Sequence, residues 1–248
     1  MGSQPEVNVY SNRDKLSSAL AAYVARRAAN AAARRGRFCV ALSGGSLMDI
    51  IGPPLATMPL SAAIDWAAWH IFWADERWVP KDSPDSNYHH ADRQLLTHVG
   101  IPVEQIHAVD DSFDPAQTAG RYEDVMRHVL EPEPGQWPRL DLILLGIGTD
   151  GHTASLFPDH PALRETQRWV VAVMDAPKPP PIRITMTLPV INNAHSVLFV
   201  AAGDQKAQIL SRVFKPNGKK PRLPSQLVNP SGGELGWFLD RAAAADLF

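Results

Sequence analysis

Asp150-Gly151-His152 sets a carboxylate and an imidazole on either side of one glycine. An imidazole titrates near neutrality, so it can take a proton from water, and a neighbouring carboxylate can orient it for that work. The glycine allows the tight turn that brings backbone close to a ligand. Ser43-Gly44-Gly45-Ser46 is a second chemical feature. Two glycines between hydroxyl residues at a strand-to-helix turn present backbone N–H groups and a helix start to a phosphate or another oxyanion. Asp75-Glu76-Arg77 adds carboxylates and a guanidinium, and Arg183 and Lys206 add an arginine fork and a lysine point charge, the usual ligands of phosphate. Taken together, these groups suit acid–base chemistry on an anionic small molecule.

A competing reading starts from Gly146, Gly148 and Gly151, which follow the apolar run Leu140 to Leu145 at the spacing of a dinucleotide fingerprint, with Asp175 placed as a ribose-binding acid would be. A fingerprint loop must open a crossover helix of several turns. Pro158 and Pro161 follow too closely for that, because an interior proline removes a hydrogen bond and clashes with the preceding turn. The glycines therefore serve the histidine turn and not a nicotinamide.

The elements that must position these residues alternate along the chain. Strand-like runs fall at Val7 to Tyr10, Phe38 to Leu42, His70 to Ala74, Leu140 to Leu145, Trp169 to Met174 and Val197 to Ala201. Helical segments fall at about Arg13 to Arg35, Tyr88 to Val99, Pro115 to Leu130 and Asp204 to Phe214. This pattern predicts an α/β fold: a three-layer α/β/α, Rossmann-like arrangement with a mainly parallel sheet covered on both faces. Proline-rich breaks at Glu131 to Pro138, Pro177 to Pro181 and Lys215 to Pro224 read as loops of a single domain spanning 1–248. Ligands of such sheets sit beyond the carboxyl ends of the strands, which directs attention to the segments after Leu42, Ala74, Leu145 and Ala201.

Composition narrows the partners. A net charge of -2 over 248 residues gives no overall reason to bind nucleic acid or an anionic membrane. No apolar run approaches the ~20 residues of a membrane span, and the start carries no signal pattern, so a cytoplasmic protein is expected. The one cysteine, Cys39, lies inside an apolar strand and reads as packing. Asp82, Asp85, His89 and His90 lack any compact ligand spacing, and no metal is expected there.

Five ordered stretches carry a resemblance: SGGS at Ser43 to Ser46, DERWVPKDSPDSNY at Asp75 to Tyr88, LGIGTDGHTASLFP at Leu145 to Pro158, PIRIT at Pro181 to Thr185 and AGDQK at Ala202 to Lys206. From about Phe38 to Pro230 the chain resembles the 6-phosphogluconolactonases, which belong with the glucosamine-6-phosphate isomerases/deaminases. It departs at Ser46-Leu47-Met48, where that family often has a threonine-proline pair. The resemblance implies hydrolysis of 6-phosphogluconolactone to 6-phosphogluconate in the oxidative pentose phosphate pathway, with no metal or organic cofactor. It also implies that His152 is the base, with Asp150 in the same motif, that Asp75 and Arg77 line the sugar site, and that Ser43, Gly44, Gly45, Arg183 and Lys206 hold phosphate. A lactone is an ester, so attack at its carbonyl needs an oxyanion donor, for which Arg77 is the candidate.

Two rivals have their own signatures. The isomerase/deaminase places a glutamate just before the proline of the histidine turn, and here that residue is Phe157, which cannot accept the imidazole hydrogen bond. A sugar-phosphate sensor calls for an attached DNA-binding helix pair, and the roughly six residues before the first strand leave no room for one. The expected partner is a sugar phosphate, and the sequence leaves monomer and homodimer both open.

Overall fold

In the computed structural model, which describes residues 5–215 and 222–247, the apolar runs become the interior of a six-stranded sheet. Its strands are β1 (Glu6–Tyr10), β2 (Phe38–Leu42), β3 (Trp69–Trp73), β5 (Leu142–Leu145), β8 (Ser196–Ala201) and β9 (Glu234–Asp240). Every neighbouring pair is parallel, in the order β1-β9-β8-β5-β2-β3. β2, β5 and β8 are buried at every residue, as strands covered on both faces require. The edge strand β1 has no fully buried residue. β4 (Asp75–Arg77), β6 (Val170–Val173) and β7 (Arg183–Met186) form a separate antiparallel sheet in the order β4-β7-β6.

The helices are α1 (Arg13–Arg35), α2 (Ser46–Ala56), α3 (Asn87–Gln94), α4 (Pro115–Leu130), α5 (Leu188–Ile191), α6 (Ala207–Phe214) and α7 (Pro224–Leu227). Their limits follow local chemistry. The Asn12 side chain accepts from the Lys15 N–H to open α1, and Gly36 at φ 72° ends it in the left-handed conformation. Asp114 caps α4 in the same way, with Pro115 at its first position. None of the described helices is long and apolar enough to cross a membrane.

Several expectations need correction. Asp75 to Arg77, a segment outside the expected strands, is strand β4, because Asp75, Glu76 and Arg77 pair with Thr185, Ile184 and Arg183 of β7. β7 and β9 carried no strand assignment. β6, expected within the parallel sheet as Trp169 to Met174, pairs only with β7 and runs antiparallel to it. The helix expected over Tyr88 to Val99 stops at Gln94 and continues as a 3-10 turn, and the first residues of Asp204 to Phe214 are likewise 3-10. Part of the proline-rich break from Lys215 to Pro224 lies outside the described residues.

Two features position the site. From β2 the chain crosses to β3 on one side, whereas from β5 it crosses to β8 and then β9 on the other, so the connections diverge between β2 and β5 and leave a crevice at their carboxyl ends. The small sheet is fastened to α4 by Glu123, whose Oε1 accepts from Trp169 N (2.8 Å), Val170 N (3.0 Å) and Arg168 Nε (2.9 Å). Glu123 is buried, so its removal strands two buried N–H donors. Glu123→Ala is expected to cost about 2 to 6 kcal/mol of stability, at roughly 1 to 3 kcal/mol per stranded donor, read as a lower midpoint in urea unfolding.

Candidate active site

A pocket of about 250 Å³ lies at the carboxyl ends of β2 and β5. Each of the four strand-end segments singled out in the sequence contributes to its wall, through Ser43 to Leu47, Asp75 and Arg77, Gly146 to Gly148, and Ala201 with Ala202. β4 explains which member of its acidic pair arrives there. Side chains alternate along a strand, so Asp75 and Arg77 face the pocket and Glu76 turns the other way.

The histidine turn is tightly built. Gly148 N donates to the His152 carbonyl and Gly151 N to the Gly148 carbonyl, with Gly151 at φ 90°. A Cβ on Gly148 would overlap the His152 imidazole, so glycine is required there to let the ring lie over the backbone. His152 Nδ1 lies 2.5 Å from Asp150 Oδ1, and the Phe157 ring packs on the imidazole with centroids 4.8 Å apart. His152 lines the pocket, whereas Asp150 sits behind it, outside the lining. Burial alone would push the Asp150 carboxyl up, but the hydrogen bond and charge of His152, with the charge of Lys178, outweigh it and hold the group well below the usual carboxylate range.

The glycine pair lies at the start of α2. Gly45, at φ 69° and ψ -150°, caps the helix without a side-chain acceptor, and the Asn87 side chain lies where a Cβ on Gly44 would be. Asn87 Nδ2 donates to the Asp75 carbonyl at 2.7 Å, which ties the start of α3 to β4 beside this loop. Glu76 braces the same region from behind, accepting from the backbone N–H groups of Arg77, Asn87 and Tyr88 and from Ser86 Oγ. Burial pushes its carboxyl up to about 7, against three backbone donors that favour the anion.

The charges in the wall are unequal. Among the described residues, Arg77, Lys178, Arg183 and Lys206 line the pocket against the one carboxylate of Asp75. Asp75 Oδ2 accepts from Ser155 Oγ at 2.7 Å. Lys206 Nζ donates to the Ile147 carbonyl at 2.8 Å, and its ammonium is pushed down by burial and then by Lys178, with Asp150 opposing. Arg77 Nη1 donates to the Asp85 carbonyl at 2.6 Å, while Arg77 Nε and Ser43 Oγ are buried polar atoms with no protein partner. Buried polar atoms normally find partners, so these two residues of the pocket wall keep unused hydrogen-bonding capacity.

Arg183 behaves differently from the expectation of a free phosphate ligand. Its Nε donates to the Pro180 carbonyl at 2.6 Å, and its Nη2 to the carbonyls of Lys178 (3.1 Å) and Pro179 (3.2 Å). Three of its five N–H groups therefore fix the proline-rich loop. Burial is the first cause that lowers its guanidinium, with Arg77 adding to it. Sequence reading missed Lys178 altogether. The available signal is a lysine inside the stiff run Pro177 to Pro181, a segment that reads in the sequence as a proline-rich break. Among the described residues, no three His, Cys, Asp or Glu side chains are grouped to hold a metal.

The comparisons agree with one another. Residues 11–237 match the family model described as Glucosamine-6-phosphate isomerases/6-phosphogluconolactonase. The chain is 41% identical over 252 residues to Probable 6-phosphogluconolactonase 1 of Arabidopsis thaliana, covering 98% of this chain and 93% of that one. It is 41% identical over 246 residues to Probable 6-phosphogluconolactonase 3, chloroplastic, of Oryza sativa subsp. indica, covering 96% and 75% of the two. The 6-phosphogluconolactonase structure from Trypanosoma cruzi superimposes with a TM-score of 0.87 at 28% identity, covering 100% of this chain and 98% of that one. With motifs, fold and full-length similarity in agreement, the chain belongs to the glucosamine-6-phosphate isomerase/6-phosphogluconolactonase family.

Proposed function

We propose that this chain hydrolyses 6-phospho-D-glucono-1,5-lactone to 6-phospho-D-gluconate, the lactone step of the oxidative pentose phosphate pathway, in the cytoplasm and on a sugar phosphate as its small-molecule partner. The observation that carries the reading is the Asp150–His152 pair at the edge of a cation-walled pocket. With Nδ1–H donated to Asp150, the imidazole lone pair is on Nε2, the ring nitrogen left for water. Nε2 takes a proton from the water that attacks the lactone carbonyl. The tetrahedral oxyanion is met by the guanidinium of Arg77, which lines the pocket. Collapse breaks the bond from the carbonyl carbon to the ring oxygen, and that oxygen leaves as a hydroxyl with the proton returned by His152. The product is an open-chain acid, which ionises in water.

The other roles follow from position. Asp75, fixed by Ser155, is an acceptor for sugar hydroxyls. The phosphate dianion meets Ser43, the Gly44-Gly45 turn at the start of α2, and Lys206. Arg183 adds positive charge to the same wall, but its main work is to hold the 178–180 loop. Phe157 favours lactone hydrolysis over ring-opening deamination, because its ring occupies one face of the imidazole and offers no acceptor.

A coupled assay on freshly generated lactone, corrected for spontaneous hydrolysis, is expected to show acceleration, with no ammonia released from glucosamine 6-phosphate. The opposite pair of results would overturn the reading. His152→Ala is expected to lower kcat by roughly 10²- to 10⁴-fold. A depressed carboxyl loses its charge only as pH falls through its native value, so Asp150 is expected to stay anionic well below the ordinary carboxylate range, and Asp150→Asn to lower kcat across the whole activity profile.

Lys206→Ala tests the phosphate subsite more cleanly than Arg183→Ala, which also frees the 178–180 carbonyls. One charge-assisted contact is worth about 1.5 to 3 kcal/mol, so kcat/KM for the phosphorylated lactone should fall roughly ten- to hundredfold further than for unphosphorylated gluconolactone. Equal losses on the two substrates would place Lys206 with the carbonyl or the fold.

A further inference from the structure

Lys178 touches both halves of the site. Its Nζ lies 3.3 Å from Asp150 Oδ1, the same oxygen that lies 2.5 Å from His152 Nδ1, and it also lines the pocket with Lys206. A 3.3 Å ammonium–carboxylate contact is loose beside the 2.7 to 2.9 Å typical of charge-assisted bonds. The Lys178 side chain is 43% exposed, so its stem is free to turn. Its backbone is not. Arg183 grips the carbonyls of Lys178, Pro179 and Pro180, so any movement belongs to the side chain.

Electrostatics gives that movement a direction. Two ammonium groups, Lys178 and Lys206, converge on one pocket with Arg77 and Arg183, and Asp75 is the one carboxylate among the described residues that line it. A dianion near Lys206 offers Lys178 a stronger partner than Asp150, which it shares with the imidazole. Resting on the proposed function for the identity of the dianion, we propose that Lys178 exchanges Asp150 for the phosphoryl group of the bound substrate, so that the phosphate subsite controls how much of the Asp150 charge reaches His152. With Lys178 on Asp150, the carboxylate is partly neutralised and His152 is a weaker base. With Lys178 on the phosphoryl group, the whole charge of Asp150 supports the imidazolium that forms in the reaction. No covalent bond changes in this step; one ion pair replaces another. A phosphorylated lactone would thereby increase the basicity of His152 as well as its own residence in the site.

The test is an NMR titration of the His152 ring between pH 5 and 8, with its signal identified by loss in His152→Ala. The probe is sulfate, which remains a dianion across this range and does not depend on lactonase activity. Asp75, Arg77, Arg183 and Lys206 share the pocket and act on His152 equally in the proteins compared, so Lys178→Met isolates one charge. Without sulfate, Lys178→Met is expected to raise the His152 midpoint by about 0.5 to 1 pH unit, the effect of removing one nearby cation at partly solvated separation. Saturating sulfate should raise the midpoint further in the wild type than in Lys178→Met, because only the wild type loses the lysine from Asp150 in addition to gaining the anion. Equal increments would mean that Lys178 stays on Asp150, and would overturn the exchange. An unchanged midpoint in Lys178→Met without sulfate would overturn the coupling itself. Both results are independent of the lactone assay, which judges the proposed function separately.

Discussion

The divergence of the chain between β2 and β5 is the constraint on which the rest of the site depends. Two parallel strands that send their connections to opposite sides cannot close the space beyond their carboxyl ends. The loop after β2 supplies backbone N–H groups at the start of α2, and the loop after β5 supplies the histidine turn. Neither loop could face a ligand without the other. Strands buried on both faces hold the two loops rigidly, because sliding either strand would expose apolar residues.

Around that crevice the protein separates its charges. Arg77, Lys178, Arg183 and Lys206 line the pocket, while Asp150 lies outside the lining and bonds to the Nδ1 side of the His152 ring. A carboxylate in the wall itself would repel a phosphorylated sugar. Asp75 is the exception, and its bond from Ser155 occupies one oxygen and leaves the other for a hydroxyl.

A second layer fixes these groups through backbone. Glu76 gathers three N–H donors from the β4 to α3 connection, and Arg183 gathers three carbonyls from the proline-rich loop. One buried carboxyl group and one buried guanidinium thus fasten the two loops that enter the pocket from the small sheet. The antiparallel pairing of β4 with β7 brings them together, since Arg77 and Arg183 are direct cross-strand partners. Two like charges opposite each other are unfavourable. The hydrogen bonds that each guanidinium makes to backbone carbonyls offset that repulsion.

The sequence by itself determined five of the six parallel strands, all but β9, and the four segments that meet at the pocket, because hydrophobic periodicity and turn chemistry are local properties. The proline positions after Gly151 ruled out a long crossover helix, and the structure has only a 3-10 turn there, Pro161–Arg164. Phe157 was readable as a departure within a motif. Tertiary structure alone decided the rest. β4 is three residues long and polar, so only its pairing with β7 makes it a strand and separates Asp75 and Arg77 from Glu76. The donors of Arg183 are spent on carbonyls three to five residues away, a bend that a list of cations cannot reveal. Lys178 reaches Asp150 across 28 positions of chain, and a contact between side chains on separate loops is set by how the sheets stack and not by either local sequence.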